Sequence, residues 1–178
     1  QMAASGITTV FDAVSIGDVD EQSMRHRALD EMCHALSQIV HDGLARVDHR
    51  LHLRCEVSHP NTLARFNELS SSPLLGLVSL MDHAPGQRQF ASLEAYRVYY
   101  QGKYQLDDAA MNAFMATQID NSQRYSAEHR RAIAASCRER GLAIASHDDA
   151  TVEHVAESHE YGTRVAEFPT TREAAEAS

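Results

Sequence analysis

Ala143-Ile144-Ala145-Ser146-His147-Asp148-Asp149-Ala150-Thr151 decides how this chain is read. A short run of small and aliphatic residues stops at an imidazole and two carboxylates, groups that bind metals or move protons. Delivering such groups at the C-terminal end of a strand is how α/β barrels present active sites. Leu77-Val78-Ser79-Leu80-Met81-Asp82-His83-Ala84-Pro85-Gly86-Gln87-Arg88-Gln89 repeats the pattern: apolar run, acid and imidazole, then a Pro-Gly turn. Two strand ends of this kind in one chain point to an enzyme.

The same alternation of apolar runs and longer amphipathic segments extends in both directions. Residues 7–13 are β-branched and aromatic and predict a strand. Met24, Leu29, Met32, Leu36, Ile39, Val40 and Leu44 recur at helical spacing and predict a helix over 20–47. Residues 51–57 alternate and predict a second strand, and Asn61 is a candidate cap for a helix over 62–69. A third strand is expected over 76–82, then a polar insertion over 84–107 rich in Tyr and Gln. Helices are expected over 107–120 and 126–140, the latter stopped by Gly141. A fourth strand over 142–146, a helix from Thr151 to about 160, a fifth strand over 163–168 and a last helix capped by Thr171 complete the pattern. Strands alternating with helices predict a parallel sheet.

Such a sheet is either doubly wound or part of an eight-fold barrel. No strand is followed by Gly-x-Gly-x-x-Gly or Gly-x-x-x-x-Gly-Lys-Ser/Thr, so the usual dinucleotide and P-loop signatures are absent. Every strand instead ends in polar groups: Asp12, Glu56, Asp82 with His83, His147 with Asp148 and Asp149, and Glu167. A barrel gathers such ends on one face. The fold expected is therefore α/β, a partial TIM (β/α)8 barrel. A whole barrel needs about 250 residues, and the ends here, Gln-Met-Ala-Ala-Ser-Gly and Thr-Arg-Glu-Ala-Ala-Glu-Ala-Ser, read as a helix tail and a helix cut short. The expectation is an internal piece of a single barrel domain.

The 178 residues are 43% hydrophobic and 23% charged, an ordinary globular balance. A net charge of −9 argues against nucleic acid as a partner, which needs a basic footprint. Phosphates can still be held locally by a few cations. No apolar run approaches the roughly 20 residues of a membrane span, and the opening residues do not read as a signal peptide. Cys33, Cys55 and Cys137 are odd in number and widely spaced, which fits a reducing cytoplasm and three small buried hydrophobes. Cys55 stands out because it adjoins Glu56.

His147, after an apolar strand and before two carboxylates, is the leading candidate for metal binding or catalysis. Glu56 sits in an apolar strand, where a carboxylate is costly unless paired. Alternation puts Arg54 on its face, so a structural Arg54–Glu56 pair is the competing reading. Asp82 and His83 are either site residues or a self-bonded turn. Gln87 and Arg88 offer planar donors just past a strand, with Arg88 suited to bidentate phosphate binding or else a solvated loop arginine. Glu167 precedes Phe168-Pro169. The helix histidines His26, His34, His41, His154 and His159 read as surface or supporting groups, and Tyr96, Tyr99, Tyr100 and Tyr104 as packing.

Three strings, Met81-Asp82-His83-Ala84-Pro85-Gly86-Gln87-Arg88-Gln89, Ala145-Ser146-His147-Asp148-Asp149-Ala150-Thr151 and Ala166-Glu167-Phe168-Pro169-Thr170-Thr171, resemble the phosphonate-metabolism branch of the amidohydrolase superfamily. Leu53-Arg54-Cys55-Glu56-Val57 fits it too, and the similarity runs through the whole chain. The resemblance implies a metal-dependent (β/α)8 barrel, of which this chain holds strands two to six. It implies a hydrolase of the carbon–phosphorus lyase pathway. Its substrate is a small phosphorylated ribose phosphonate, whose 5-triphosphate is cut to a 5-phosphate and diphosphate by metal-activated water. By the same resemblance Glu56, His147 and Glu167 are metal ligands, although many relatives carry a histidine where Glu167 stands. Asp148, Asp149 and His83 are catalytic, and Asp82, Gln87 and Arg88 bind substrate. The metal implied is zinc or manganese, and self-association is left open. A first-strand metal motif is expected before residue 1, and a seventh strand and an eighth-strand aspartate after residue 178. The alternatives are an amidohydrolase acting on an amide or cyclic amidine, and an inactive piece that completes a barrel with another chain.

Overall fold

The computed structural model describes residues 1–17 and 24–178, with the backbone alone for residues 24–27. Its strands are β1 (Thr9–Ile16), β2 (Asp48–Glu56), β3 (Leu75–Met81), β4 (Ala143–His147) and β5 (Val165–Glu167). Its helices are α1 (Met24–His41), α2 (Thr62–Leu69), α3 (Leu93–Tyr104), α4 (Asp108–Arg140), α5 (Val152–Glu160) and α6 (Arg172–Ala177). The start of the helix expected from residue 20 and the side chain of His26 lie outside the described residues. No helix among the described residues is long and apolar enough to cross a membrane.

All five strands are parallel, and their order across the sheet is β1-β2-β3-β4-β5. A doubly wound sheet reverses its strand order at a switch point; this one never does. Sequential order is compatible with an arc of a barrel. Helices cover one face. Leu51, Leu53, Cys55, Val78, Leu80 and Ile144 point to that side and pack with Phe66 of α2 and Ile133 of α4. Each fully buried residue of this size contributes about 1.5–3 kcal/mol. Cys55 and Cys137 belong to this core, and burial pushes both thiols up, Cys137 to about 11. A thiol-specific chromogenic reagent is expected to titrate Cys33 alone in the native protein, and all three cysteines in denaturant. Fast labelling of Cys55 in the native protein would contradict its place in the core.

Four expectations are corrected. First, β1 runs three residues further than 7–13, so Asp12 lies in mid-strand, where its carboxylate accepts from His49 Nδ1 at 2.7 Å. The tip of the strand is Ile16, followed by Gly17 at φ +84°. A Cβ on Gly17 would stand 2.9 Å from the His59 Cβ and 3.1 Å from the Glu56 Cβ, so only glycine lets the chain turn away beside Glu56. Second, the insertion after β3 contains α3, capped by the Ser92 hydroxyl, which accepts from the Ala95 amide. Third, the helices expected over 107–120 and 126–140 are one helix of 33 residues. Nothing between them is Gly or Pro, and Ser122 and Ser126 turn their hydroxyls to Asp82 instead of breaking the helix. Gly141, at φ +67°, ends it as expected. Fourth, Asn61 makes no side-chain cap.

Candidate metal centre

Pleating puts His52, Arg54 and Glu56 on the face of β2 that the helices leave uncovered. Register carries that face across the sheet. Ser15, Arg54, Ser79, Ala145 and Val165 form one row; one step nearer the C-terminal ends, Glu56 pairs with Met81 and His147 with Glu167. His83 follows two residues after β3, and Asp148 one residue after β4. Asp148 has φ +56°, a left-handed conformation that aspartate tolerates better than most residues. Its amide donates to the Glu167 carbonyl at 3.0 Å, which keeps the turn tight.

Two histidine–carboxylate pairs result. His83 Nδ1 lies 2.6 Å from Glu56 Oε2, and the His83 amide and the Ser58 hydroxyl donate to Glu56 Oε1 at 3.0 and 2.7 Å. A buried carboxylate costs several kcal/mol unless it is paired; three donors answer that for Glu56. Burial would raise its pKa, but the His83 charge and these bonds hold it below the usual carboxylate range. His147 Nδ1 lies 3.2 Å from Glu167 Oε2, and Arg54 Nη2 donates to His147 Nε2 at 2.9 Å. A guanidinium only donates, so that Nε2 carries a lone pair and Nδ1 the proton. Burial would raise the Glu167 pKa, but the hydrogen bonds from His147 and Ser79 and the nearby His52 hold it below the usual carboxylate range.

The inward nitrogens then meet Asp148. Its Oδ2 is 3.4 Å from His83 Nε2 and 3.5 Å from His147 Nε2. These three donors lie within 4.8 Å of one another and form a group able to hold a metal ion. Two imidazoles and a carboxylate are a suitable donor set, and a carboxylate on the far nitrogen of each ring is the usual orienting arrangement. Burial opposes a charge on His83, yet Glu56 and Asp148 override it and raise its pKa to about 10. The His83 N–H and the Arg54 guanidinium thus supply the positive charge between the acids.

Other residues named from the sequence lie elsewhere. Asp82 points away from this cluster into a buried network, accepting from Ser126 at 2.8 Å and Arg130 at 3.1 Å. Burial and the Glu56 charge raise its pKa against the pull of Arg130. Arg88, only 3% exposed, is not a solvated loop arginine and does not line the pocket that opens beside the cluster. It pairs with buried Asp149 and, at 2.9 Å, with Glu157. Gln87 is half-buried and outside the pocket lining, which takes in Gln89 instead. Among the described residues Arg54 forms no ion pair with Glu56; its guanidinium bonds His147, 93 residues away.

A pocket of about 170 Å³ opens beside the cluster, lined by Arg54 and Glu56 of β2, by His83, and by Tyr99, Tyr100 and Lys103 of α3. Beneath the cluster His52 Nε2 bonds Ser79 Oγ at 2.8 Å and lies 3.6 Å from Glu167 Oε1. The alternation of residues 51–57 already aligned His52 with Arg54 and Glu56; no comparable signal marked Lys103 or Tyr99.

Fold and site together define a parallel α/β scaffold with a candidate metal centre at the C-terminal ends of its strands. The chain is similar to alpha-D-ribose 1-methylphosphonate 5-triphosphate diphosphatase of Escherichia coli (strain K12), 55% identical over 177 residues. The match takes in 99% of this chain and 47% of that protein, so the chain spans about half the length of the curated relative it matches. No family model matches the chain. No solved structure matches it.

Proposed function

We propose that this chain is the central part of a cytoplasmic diphosphatase of phosphonate breakdown, built on a metal-dependent amidohydrolase barrel. It would cleave a ribose 1-methylphosphonate 5-triphosphate to the 5-phosphate and diphosphate. The observation that carries this reading is the 55% identity to the Escherichia coli diphosphatase over 99% of the chain. The geometry supports a revised division of labour. His83, His147 and Asp148 would hold the metal, zinc or manganese, the ion taking the place of the Arg54 Nη2 donor at His147 Nε2. Glu56 and Glu167 would fix the two imidazoles through their Nδ1 atoms, in place of the ligand role read from the sequence. A divalent cation in such a site polarises a phosphoryl oxygen and lowers the pKa of bound water. Arg54 stands beside His147, where it would balance charge growing on a phosphoryl oxygen. Asp148, buried between the two imidazoles, would accept a proton from the attacking water. Asp149 stays with Arg88 and supports the loop.

The test is turnover by the full-length gene product. Stoichiometric diphosphate from the ribose triphosphate is expected; hydrolysis confined to amides or cyclic amidines would overturn the reading. The orienting role has its own check. Glu56→Gln is expected to weaken zinc affinity roughly 10–100-fold, the usual effect of losing such a partner, read by chelator competition. Unchanged affinity would remove Glu56 from the centre.

A further inference from the structure

The protein carries a net charge of −9, so a polyphosphate is repelled from most of its surface and must be met by local cations. The pocket beside the metal centre reverses that sign. Arg54 and Lys103 line it, against Glu56 alone, and the Glu56 carboxylate already accepts from His83 and Ser58. Lys103 stands on the last turn of α3, exposed, and among the described residues it pairs with no carboxylate. Its ammonium lies 5.0–5.8 Å from the ring centroids of Tyr104, Tyr100 and Tyr99. Aromatic faces at that range hold a cation in place without neutralising it. A lysine steadied in this way keeps its full charge for a ligand.

We propose that Lys103 of α3 and Arg54 of β2, which line the same pocket, grip the terminal diphosphate portion of the substrate, the part that leaves. Gln89 and Tyr99 add neutral donors. This rests on the diphosphatase reading above, and it moves phosphate recognition from Arg88 to the α3 wall. No bond is made or broken at Lys103; it is a binding residue, one helix away from the metal.

The experiment uses inorganic diphosphate as the probe and the full-length metal-loaded protein, with Lys103→Gln and Lys103→Arg. Calorimetry is expected to show diphosphate affinity falling about 10-fold in Lys103→Gln, the scale of one lost charge-assisted bond, and largely regained in Lys103→Arg. Turnover of the ribose triphosphate would show a raised KM at nearly constant kcat, and added salt would weaken binding to the native protein more than to Lys103→Gln. Diphosphate binding that ignores Lys103→Gln, or no binding to the native protein, overturns the proposal even where turnover is normal. Lysine-dependent diphosphate binding without turnover sustains it and sinks the diphosphatase reading instead.

Discussion

Replacing His147 by alanine is expected to strip the protein of tightly held metal and, with it, of diphosphate release. His147 is the one imidazole in the cluster that the hydrogen bonds define as neutral: Arg54 donates to its Nε2 and Glu167 accepts from its Nδ1. Removing it deletes one of three donors, and Glu167 and Arg54 lose the ring that separates them. The loss of affinity should exceed the roughly 10–100-fold expected for an orienting carboxylate. The side chain sits at the tip of β4, beyond the main apolar cluster, so the fold should survive. Metal analysis of the purified variant beside a circular-dichroism melt separates the two effects. A His147→Ala protein that keeps its metal would contradict the assignment.

The second large effect concerns stability. Arg88→Ala is expected to cost roughly 3–5 kcal/mol, the penalty for leaving a buried charge without its partner. Asp149 bears most of it, because its side chain is 2% exposed whereas that of Glu157 is 39% exposed and can turn to water. Burial also lowers the Arg88 pKa, with Arg130 pushing the same way, so the guanidinium depends on its acids to remain charged. Arg88→Met together with Asp149→Leu should recover much of the loss, since an apolar pair of similar volume replaces a buried ion pair at little cost. Urea melts of the single and double variants measure both. An Arg88→Ala protein of normal stability but with a raised KM would return Arg88 to the substrate.

Much of this architecture could be read from local pattern. The β-branched and apolar runs located all five strands, and alternation in residues 51–57 put Arg54 and Glu56 on one face before any coordinate did. Glu56, His83, His147, Asp148 and Glu167 gather at the strand tips as expected, whereas Asp82 and Asp149 turn into buried ion pairs, and Asp12 misled because the β1 pairing continues through Ser15 and Ile16. What stayed illegible depends on partners far away in the chain. Arg88 follows a Pro-Gly turn and reads as an exposed donor, but its acids lie 61 and 69 residues on, and its own backbone sits at φ +38°. Glu56 reads as a ligand because its residue type allows it; that it takes His83 Nδ1 is decided by how β2 and β3 meet. The continuous α4 was missed because polar residues without Gly or Pro weaken an amphipathic pattern while leaving the helix intact.

Anomalous diffraction from crystals of the metal-loaded protein tests the proposed centre most directly. The expected result is one strong peak bonded to Nε2 of His83, Nε2 of His147 and a carboxylate oxygen of Asp148, at about 2.0–2.2 Å, with Glu56 and Glu167 on the opposite ring nitrogens. A peak away from these residues, or one bonded to Glu56 and Glu167 with His83 turned outward, would contradict the account.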